Sequence, residues 1–329
     1  METSSYCRLD RFKAGGVKCE KIQEKWMYFL MTNDVEAHSL SLNREDPGTV
    51  DLVHKVGLPR LLDLLAKHDV SSTFYFTGMF AEASPESVEL VRDHGHEIGC
   101  HGYDHSPQRA FDLLGYEEQV DELKKAKDAI EPVAGRVTSF RAPALRINED
   151  TVRALEETGF SSDSSVASQR FDGPFTFGAA GKLKWLCAPR KPYMLSYESV
   201  VREGDSGVLE VPISALVFPF IGTVMRVSPL ILKMLRKYLY YESKNTGKPI
   251  VFLYHPNECL DALRVKAARR ADSFMGYLFA DVIRHRLKLR NLGAASLRLL
   301  DEVLASARVY GFEFVSVNEY RKMYKINRH

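Results

Sequence analysis

The sequence predicts an α/β fold, a (β/α) barrel with seven or eight parallel strands. Apolar strand-like segments alternate with helix-like segments along most of the 329 residues, and this alternation is typical of a parallel sheet covered by helices. Hydrophobic residues make up 45% of the chain, which is enough for a large buried core. A doubly wound open sheet is the alternative. In both folds, functional residues are expected at the carboxyl ends of the strands.

The strands are predicted from short apolar segments that end in polar or turn residues. In chain order these segments are residues 26–34, 72–78, 96–102, 137–143, 161–166, 208–214 and 249–256, and an eighth begins at residue 311.

The helices are predicted from apolar residues at helical spacing and from capping residues. The predicted helices cover residues 57–70, 84–95, 116–133, 148–160, 229–244 and 294–310, and a short helix ends the chain. Ser84 is the expected N-cap of the second helix, with Pro85 in its first turn and Gly95 at its end. Asn148 is the expected N-cap of the fourth.

The composition predicts a single large domain after a short extension. We expect residues 1–26 to form an N-terminal extension and residues 27–329 one catalytic domain, with a basic, apolar insertion at about 217–298. No secretory signal pattern and no run of membrane-spanning length is found. The five cysteines are scattered and odd in number. They favour reduced thiols and a cytoplasmic protein over a disulfide framework.

Polar side chains collect at the ends of five predicted strands. Asp34 and Glu36 are two residues apart, so both leave the same face of the first strand. The other four strands contribute His101 with His105, Arg141, Asp163 and His255.

The pair His101 and His105 is the clearest sign of a metal site. Two imidazoles and one carboxylate make a three-ligand set that leaves a divalent ion open for water. A spacing of four residues suits one helical turn, which would place both rings on one side. Such a pair alone is usually an ordinary loop pair, but the neighbouring strand ends favour a metal.

These segments resemble the polysaccharide deacetylase family (carbohydrate esterase family 4, the chitooligosaccharide deacetylase homology domain). The resemblance rests on NDVE, STFYFTG, GHEIGCHGYDH, FRAP, SDSS and FLYHP, in that order, and extends from residue 27 to about 320. It implies a distorted (β/α) barrel, hydrolysis of N-acyl groups on amino sugars, and a divalent metal ion, with zinc first.

The resemblance implies that Glu36, His101 and His105 hold the metal and that Asp34 is the catalytic base. Many relatives have Asp-Asp where this chain has Asp34-Val35-Glu36. An arrangement with Asp34 on the metal and Glu36 outside it therefore stays open.

The resemblance also implies that Arg141 orients the base, that His255 is the general acid, and that Asp163 tunes His255. Three further residues are expected beside the substrate: Tyr103, Pro143 and Glu210. The main-chain N–H near Tyr103 is expected to stabilise the oxyanion. For Glu210, a salt bridge at the edge of the core is an equal alternative.

The charge distribution suggests a partner that carries phosphate. From Arg226 to Arg298 there are 15 Lys and Arg against five Asp and Glu. Two interpretations stay open: amphipathic helices with a solvated basic face, or a surface that contacts anionic lipid headgroups or a lipid-linked phosphate. No nucleic-acid-binding motif is found.

We therefore expect a metal-dependent N-deacetylase in glycan assembly, acting on a nucleotide- or lipid-linked amino sugar. It would be cytoplasmic and peripheral at the inner membrane surface. A deformylase of a polyprenyl-phosphate-linked formamido sugar and an inactive carbohydrate-binding homologue are the alternatives.

Overall fold

The chain folds around one curled sheet. A computed structural model describes residues 26–171, 180–263, 277, 282–283 and 285–326. Within them the strands are Tyr28–Val35 (β1), His38–Ser39 (β2), Arg44–Glu45 (β3), Ser72–Phe76 (β4), Glu97–Cys100 (β5), Ser139–Phe140 (β6), Ser162–Asp163 (β7), Tyr193–Met194 (β8), Leu209–Glu210 (β9), Ala215–Leu216 (β10), Phe218–Pro219 (β11), Ile250–Tyr254 (β12) and Glu313–Phe314 (β13).

The main sheet is curled into a half-barrel. Its order is β12-β1-β4-β5-β6-β7-β9-β8, with β13 beside β1, and every pairing is parallel except that of β8 with β9. The segment after β9 then bridges to β12: the N–H of Ser214 lies 3.1 Å from the carbonyl of Val251, and the N–H of Leu253 lies 3.4 Å from that of Phe220. The predicted distorted (β/α) barrel is confirmed, and the open sheet is wrong.

The helices cover the outside of the barrel. They are Pro47–Leu52 (α1), Leu58–Lys67 (α2), Gly78–Ala83 (α3), Pro85–Asp93 (α4), Tyr116–Ala134 (α5), Glu149–Glu157 (α6), Gly222–Val227 (α7), Pro229–Thr246 (α8), His285–Lys288 (α9), Ala294–Val309 (α10) and Val317–Ile326 (α11). No helix in this described part of the chain has the length and apolar character needed to cross a bilayer.

Of the two predicted helix N-caps, Asn148 is confirmed by its hydrogen bond and Ser84 only by its position. Asn148 accepts a hydrogen bond from the N–H of Thr151, as an N-cap does. Ser84 occupies the cap position of α4, but its hydroxyl bonds the side chains of Glu86 and Ser87 instead of the backbone.

The strands in the middle of the sheet are shorter than predicted. Only two residues of each predicted segment pair in β6, β7 and β9. Beyond β6 the chain turns at Pro143, which has no N–H to donate to a neighbouring strand. These early strand ends leave room for side chains at the rim.

Alternation along β1 separates two apolar layers. Phe29 and Met31 belong to the layer between the sheet and its helices. Leu30 faces the other way, into a smaller interior cluster with Val251 and Leu253. Because side chains alternate along a strand, Thr32 and Asp34 share the interior side with Leu30. The strand pattern thus directs Asp34 into the barrel mouth.

Two predicted regions lie wholly or mostly outside the described residues. They are the N-terminal extension, described only at Trp26, and most of residues 264–284 in the basic region. The division into an extension and one catalytic domain stays a prediction.

Candidate metal centre and active site

Three side chains converge at the mouth of the barrel. Glu36 follows β1, His101 follows β5, and His105 lies in the loop after β5. One donor atom from each lies within 4.8 Å of the other two. The Nε2 of His105 is 3.0 Å from Oε2 of Glu36. The structure therefore brings together the three ligands expected from sequence.

A tight turn, and not a helical turn, joins the two histidines. Residues 101–106 form neither helix nor strand. The N–H of His101 donates to the carbonyl of Phe76 at 2.7 Å, and Gly102 adopts a φ of +71°. A Cβ at Gly102 would lie 3.1 Å from Cγ of Pro143. The predicted helical turn is thus wrong, but a glycine-dependent turn achieves the same convergence.

The tautomer of His101 suits a metal ligand. Its Nδ1 lies 2.8 Å from the carbonyl oxygen of Arg141, which can only accept a hydrogen bond. Nδ1 therefore has the proton, and Nε2 presents its lone pair to the centre of the site. Burial lowers the pKa of His101 and keeps the ring neutral.

The donor set fits a divalent cation. Oε2 of Glu36 is buried and has no hydrogen-bond partner in the described part of the chain, although His105 is its ion-pair neighbour. A buried carboxylate oxygen without a donor costs free energy unless a cation pairs with it. One carboxylate with two imidazoles is a ligand set that zinc accepts.

Asp34 lies beside this set, held by Arg141. Nη1 of Arg141 donates to Oδ1 of Asp34 at 2.8 Å and to Oγ1 of Thr32 at 2.9 Å. Its other nitrogens donate to the carbonyl and hydroxyl of Ser164, and its guanidinium stacks on Tyr75. All of these contacts are buried. They hold Oδ1 of Asp34 in place. The other oxygen, Oδ2, lies 3.8 Å from Nε2 of His101.

His255 follows β12 and faces the same region. Burial lowers its pKa, but a hydrogen bond to Glu258 and the carboxylates of Glu36 and Asp34 outweigh burial and raise it. The ring is therefore held near acidic groups from the end of β1 and from the turn after β12 itself. A histidine whose pKa is raised retains its proton at higher pH and can act as an acid.

Comparisons with known proteins show which family this chain resembles. Residues 47–162 match the family model described as polysaccharide deacetylase. Over 118 residues the chain is 31% identical to a peptidoglycan deacetylase of Helicobacter pylori, covering 36% of this chain and 39% of that protein. The chain is thus similar to the polysaccharide deacetylase family over residues 47–162, and the resemblance predicted from its motifs is confirmed.

A second curated relative has lower identity over a longer stretch. A peptidoglycan-N-acetylmuramic acid deacetylase of Bacillus subtilis is 22% identical over 153 residues, 46% of this chain and 52% of that protein. The chain thus spans about half, or less, of the length of these curated relatives.

Solved structures of the family share the fold. One from Pseudomonas aeruginosa, described as a probable polysaccharide deacetylase, has 15% identity and a TM-score of 0.53 and covers 88% of this chain and 89% of that chain. Another from Mycobacterium smegmatis has 20% identity and a TM-score of 0.50, covering 85% of this chain and 92% of that chain.

In this chain, Asp163 does not bond His255 as expected. Its Oδ1 accepts from the hydroxyl of Ser165 at 2.5 Å. Its other oxygen faces Glu210, its register partner on β9. The carboxylate that bonds His255 is Glu258, so the tuning role predicted for Asp163 is corrected. The reason is that β7 pairs with β9, whereas Glu258 lies only three residues after His255.

Glu210 lies in the interior of the protein, where a substrate could not reach its side chain. Its side chain is fully buried, and its Oε1 accepts from the N–H of Val166 at 3.0 Å. Burial raises the pKa of Glu210 well above its usual value and that of Asp163 to about 6. Two buried carboxyl groups that face each other in this way favour a proton shared between them. Two alternatives were predicted for Glu210, a substrate contact and a salt bridge, and the described residues show neither.

The other predicted substrate residues line the same loops. The hydroxyl of Tyr103 donates to Glu82 at 2.8 Å and its ring packs under Lys125, so its side chain is engaged outside the centre. Pro143 is buried after Arg141, next to Ala144, whose φ is +54°. Strained backbone of this kind is often found at functional sites. The roles of Tyr103 and Pro143 in substrate binding stay predictions.

Sequence reasoning missed two residues, Glu258 and Arg226. Both are buried, and Oε2 of Glu258 lies 2.5 Å from Nε of Arg226. The only signal for Glu258 was a carboxylate three residues after His255. Nothing local in the sequence pointed to Arg226, because it is 32 residues from Glu258.

Proposed function

We propose that this protein is a metal-dependent hydrolase that removes the N-acetyl group from an amino sugar. The observation that supports it most is the convergence of Glu36, His101 and His105 beside an Asp34 held by Arg141. A deacylase needs these groups together: ligands for a cation, a base whose orientation is fixed, and an acid for the leaving nitrogen.

Each group has one task in the proposed reaction. Glu36, His101 and His105 would hold a divalent cation, which would supply Lewis-acid polarisation of the amide carbonyl and acidify a water molecule. Asp34 accepts the proton of the attacking water, and Arg141 holds the carboxylate of Asp34 in the required orientation. His255 gives a proton to the amine nitrogen as the C–N bond breaks. The products are the free amino sugar and acetate.

A phosphate-linked substrate is proposed from the basic region. Residues 226–298 have a net charge of +10. On α8, Leu230, Met234 and Tyr241 are more than 60% exposed, and Lys233 and Lys237 are exposed among them. We call these five residues the α8 surface.

Apolar side chains among lysines suit the interface of an anionic membrane. We therefore propose a lipid-linked amino sugar as substrate and a cytoplasmic protein at the inner membrane surface. The buried, unpaired Cys100 and Cys259 are consistent with a reducing compartment.

Mass spectrometry of defined substrates tests the activity. The zinc-loaded protein is incubated with N-acetylated and N-formylated amino sugars in free, nucleotide-linked and lipid-linked forms. We expect loss of acetyl and release of acetate, fastest from the lipid-linked form. Formate release from the formamido sugar alone would identify a deformylase instead. Binding without release of either acid would identify a carbohydrate-binding protein and contradict the proposal.

Paired variants show whether a released acid comes from this site. His101→Gln removes a proposed ligand. His94→Gln is its control, because His94 is exposed and bonds only its own helix at the carbonyl of Leu90. The proposed site requires that the first change abolish acetate release and that the second leave it intact.

A further inference from the structure

His255 and Glu258 form a compact pair at the end of β12. His255 has extended backbone, and Pro256 begins a short 3₁₀ turn that ends at Cys259. This turn places Oε1 of Glu258 at 3.1 Å from Nδ1 of His255. Glu258 is buried, whereas the histidine side chain is 22% exposed. Glu258 thus engages the Nδ1 side of the ring.

Glu258 is itself fixed from behind. Its Oε2 accepts from Nε of Arg226 at 2.5 Å. Nη1 of Arg226 donates to the carbonyls of Lys288 at 2.5 Å and Arg290 at 3.0 Å. Arg226 has no exposed surface. The chain of contacts therefore runs from the backbone after α9 through Arg226 and Glu258 to the imidazole.

The backbone of α7 is shaped to admit this carboxylate. A Cβ at Gly222 would lie 2.5 Å from Oε2 of Glu258 and 2.6 Å from Cδ2 of Tyr254. The side chain of Arg226 leaves the same helix one turn later. Glycine at 222 thus provides the space in which Glu258 meets Arg226.

The charges around His255 decide where its proton resides. The acidic groups that act on the ring are Glu258, Glu36 and Asp34. Burial alone would raise the pKa of Glu258, but Arg226 and His255 lower it and keep the group ionised. An ionised carboxylate only accepts hydrogen bonds, so Nδ1 must donate. The proton that can be transferred is then on Nε2.

We propose that Glu258, anchored by Arg226, is the positioning residue of His255: it fixes the ring so that Nε2 presents a proton to the leaving amine. This inference rests on the proposed function for its catalytic meaning. It takes the place of the role expected for Asp163, which bonds Ser165 and Glu210.

Kinetics of Glu258→Gln and Glu258→Asp test the proposal. We expect Glu258→Gln to lower kcat roughly 10²-fold, with KM and metal content unchanged. The alkaline limb of kcat/KM should move to lower pH, because the acid needs its proton and loses it earlier without the carboxylate. Glu258→Asp should recover part of kcat. Wild-type kcat and pH dependence in Glu258→Gln would overturn the proposal.

A double variant distinguishes loss of positioning from loss of folding. Glu258→Gln leaves the buried Arg226 without its partner, which is itself destabilising. Arg226→Met with Glu258→Gln removes both charges and should fold. Circular dichroism shows whether this double variant is folded. We expect it to keep the low kcat and the shifted alkaline limb of kcat/KM. Full activity in it would contradict a positioning role.

NMR separates this inference from the proposed function. Long-range ¹H–¹⁵N spectra report which ring nitrogen of His255 has the proton, with His255→Gln used for assignment. The wild type should show Nδ1–H at high pH and a raised pKa, and Glu258→Gln should lose both. If no substrate is hydrolysed but these shifts appear, the function fails and the pairing stands. Identical spectra would overturn the pairing.

Discussion

At the scale of single residues, the site separates a ligand group from a base. The buried Oε2 of Glu36 lies beside the metal-ligand candidate His105, whereas Asp34 is bonded to Arg141. This division favours Glu36 over Asp34 as the third ligand. It also explains why two carboxylates two residues apart on one strand can serve different purposes.

Substitution of Asp34 by Asn tests that division. An amide keeps an oxygen for Arg141 but cannot take a proton, so we expect kcat to fall roughly 10²- to 10⁴-fold. KM and the zinc content should stay near the wild-type values. Kinetics together with metal analysis of the same preparation give the answer. Loss of the metal along with activity would place Asp34 on the cation and refute the assignment to Glu36.

The sequence predicted some of these residues for clear physical reasons. Alternation along β1 is enough to put Asp34 and Glu36 on one face, and parallel strands gather their ends at one rim. It could not predict the partner of His255. The contact of Glu258 with Arg226 depends on how α7 packs against the turn after β12, which no local pattern encodes.

At the scale of elements, the turn after β5 determines the metal site. Its glycine, Gly102, has φ of +71° and is crowded by Pro143 and Phe111. The histidine spacing suggested a helical turn, because four residues match one turn of helix. The structure uses a bend here, since the main chain of residues 102 and 103 instead accepts hydrogen bonds from Gly78 and Met79 at the start of α3.

Alanine at Gly102 should therefore weaken metal binding. Gly95 is a matched control, because its φ is +79° and nothing lies within 4 Å of a Cβ placed there. Both changes should cost about 1 kcal/mol or more of stability through backbone strain. Only Gly102→Ala should also weaken zinc binding, by roughly 10-fold or more. Calorimetric zinc titrations of both variants distinguish them; equal zinc affinities would show that the turn does not position the ligands.

The α8 surface makes a prediction about membranes. Each lysine near an anionic bilayer contributes about 1 kcal/mol, so Lys233→Gln with Lys237→Gln should weaken binding roughly 30-fold. Sedimentation with phosphatidylglycerol vesicles measures this, with phosphatidylcholine vesicles as the neutral reference. Lys55→Gln with Lys124→Gln is the control pair, since both lysines are exposed on other elements. Equal losses in the two pairs would indicate unspecific charge attraction.

At the scale of the whole molecule, the barrel encloses a shared proton. Asp163 and Glu210 are fully buried and face each other across β7 and β9. Burial raises the pKa of Asp163 to about 6. The folded state therefore keeps a proton that the unfolded chain releases near pH 4. This proton stabilises the fold at low pH, and its contribution is lost as the pH rises toward 6 and beyond.

Replacing Glu210 by Gln should flatten that dependence. The amide nitrogen can donate to Asp163 at any pH while the amide oxygen keeps the N–H of Val166. We expect the free energy of unfolding of the wild type to fall by roughly 2 kcal/mol more than that of Glu210→Gln between pH 4 and pH 7. Urea denaturation at several pH values measures the difference. Parallel curves would mean that the two carboxyl groups do not share a proton.

Zinc titration of metal-free protein, followed by acyl release, tests the central claim most directly. We expect activity on an N-acetyl amino sugar to rise in proportion to the amount of zinc added and to saturate at one ion per chain. His101→Gln and His105→Gln should bind no zinc tightly and release no acetate, whereas His94→Gln should match the wild type. Acetate release by the metal-free protein, or undiminished activity in His101→Gln, would contradict the account.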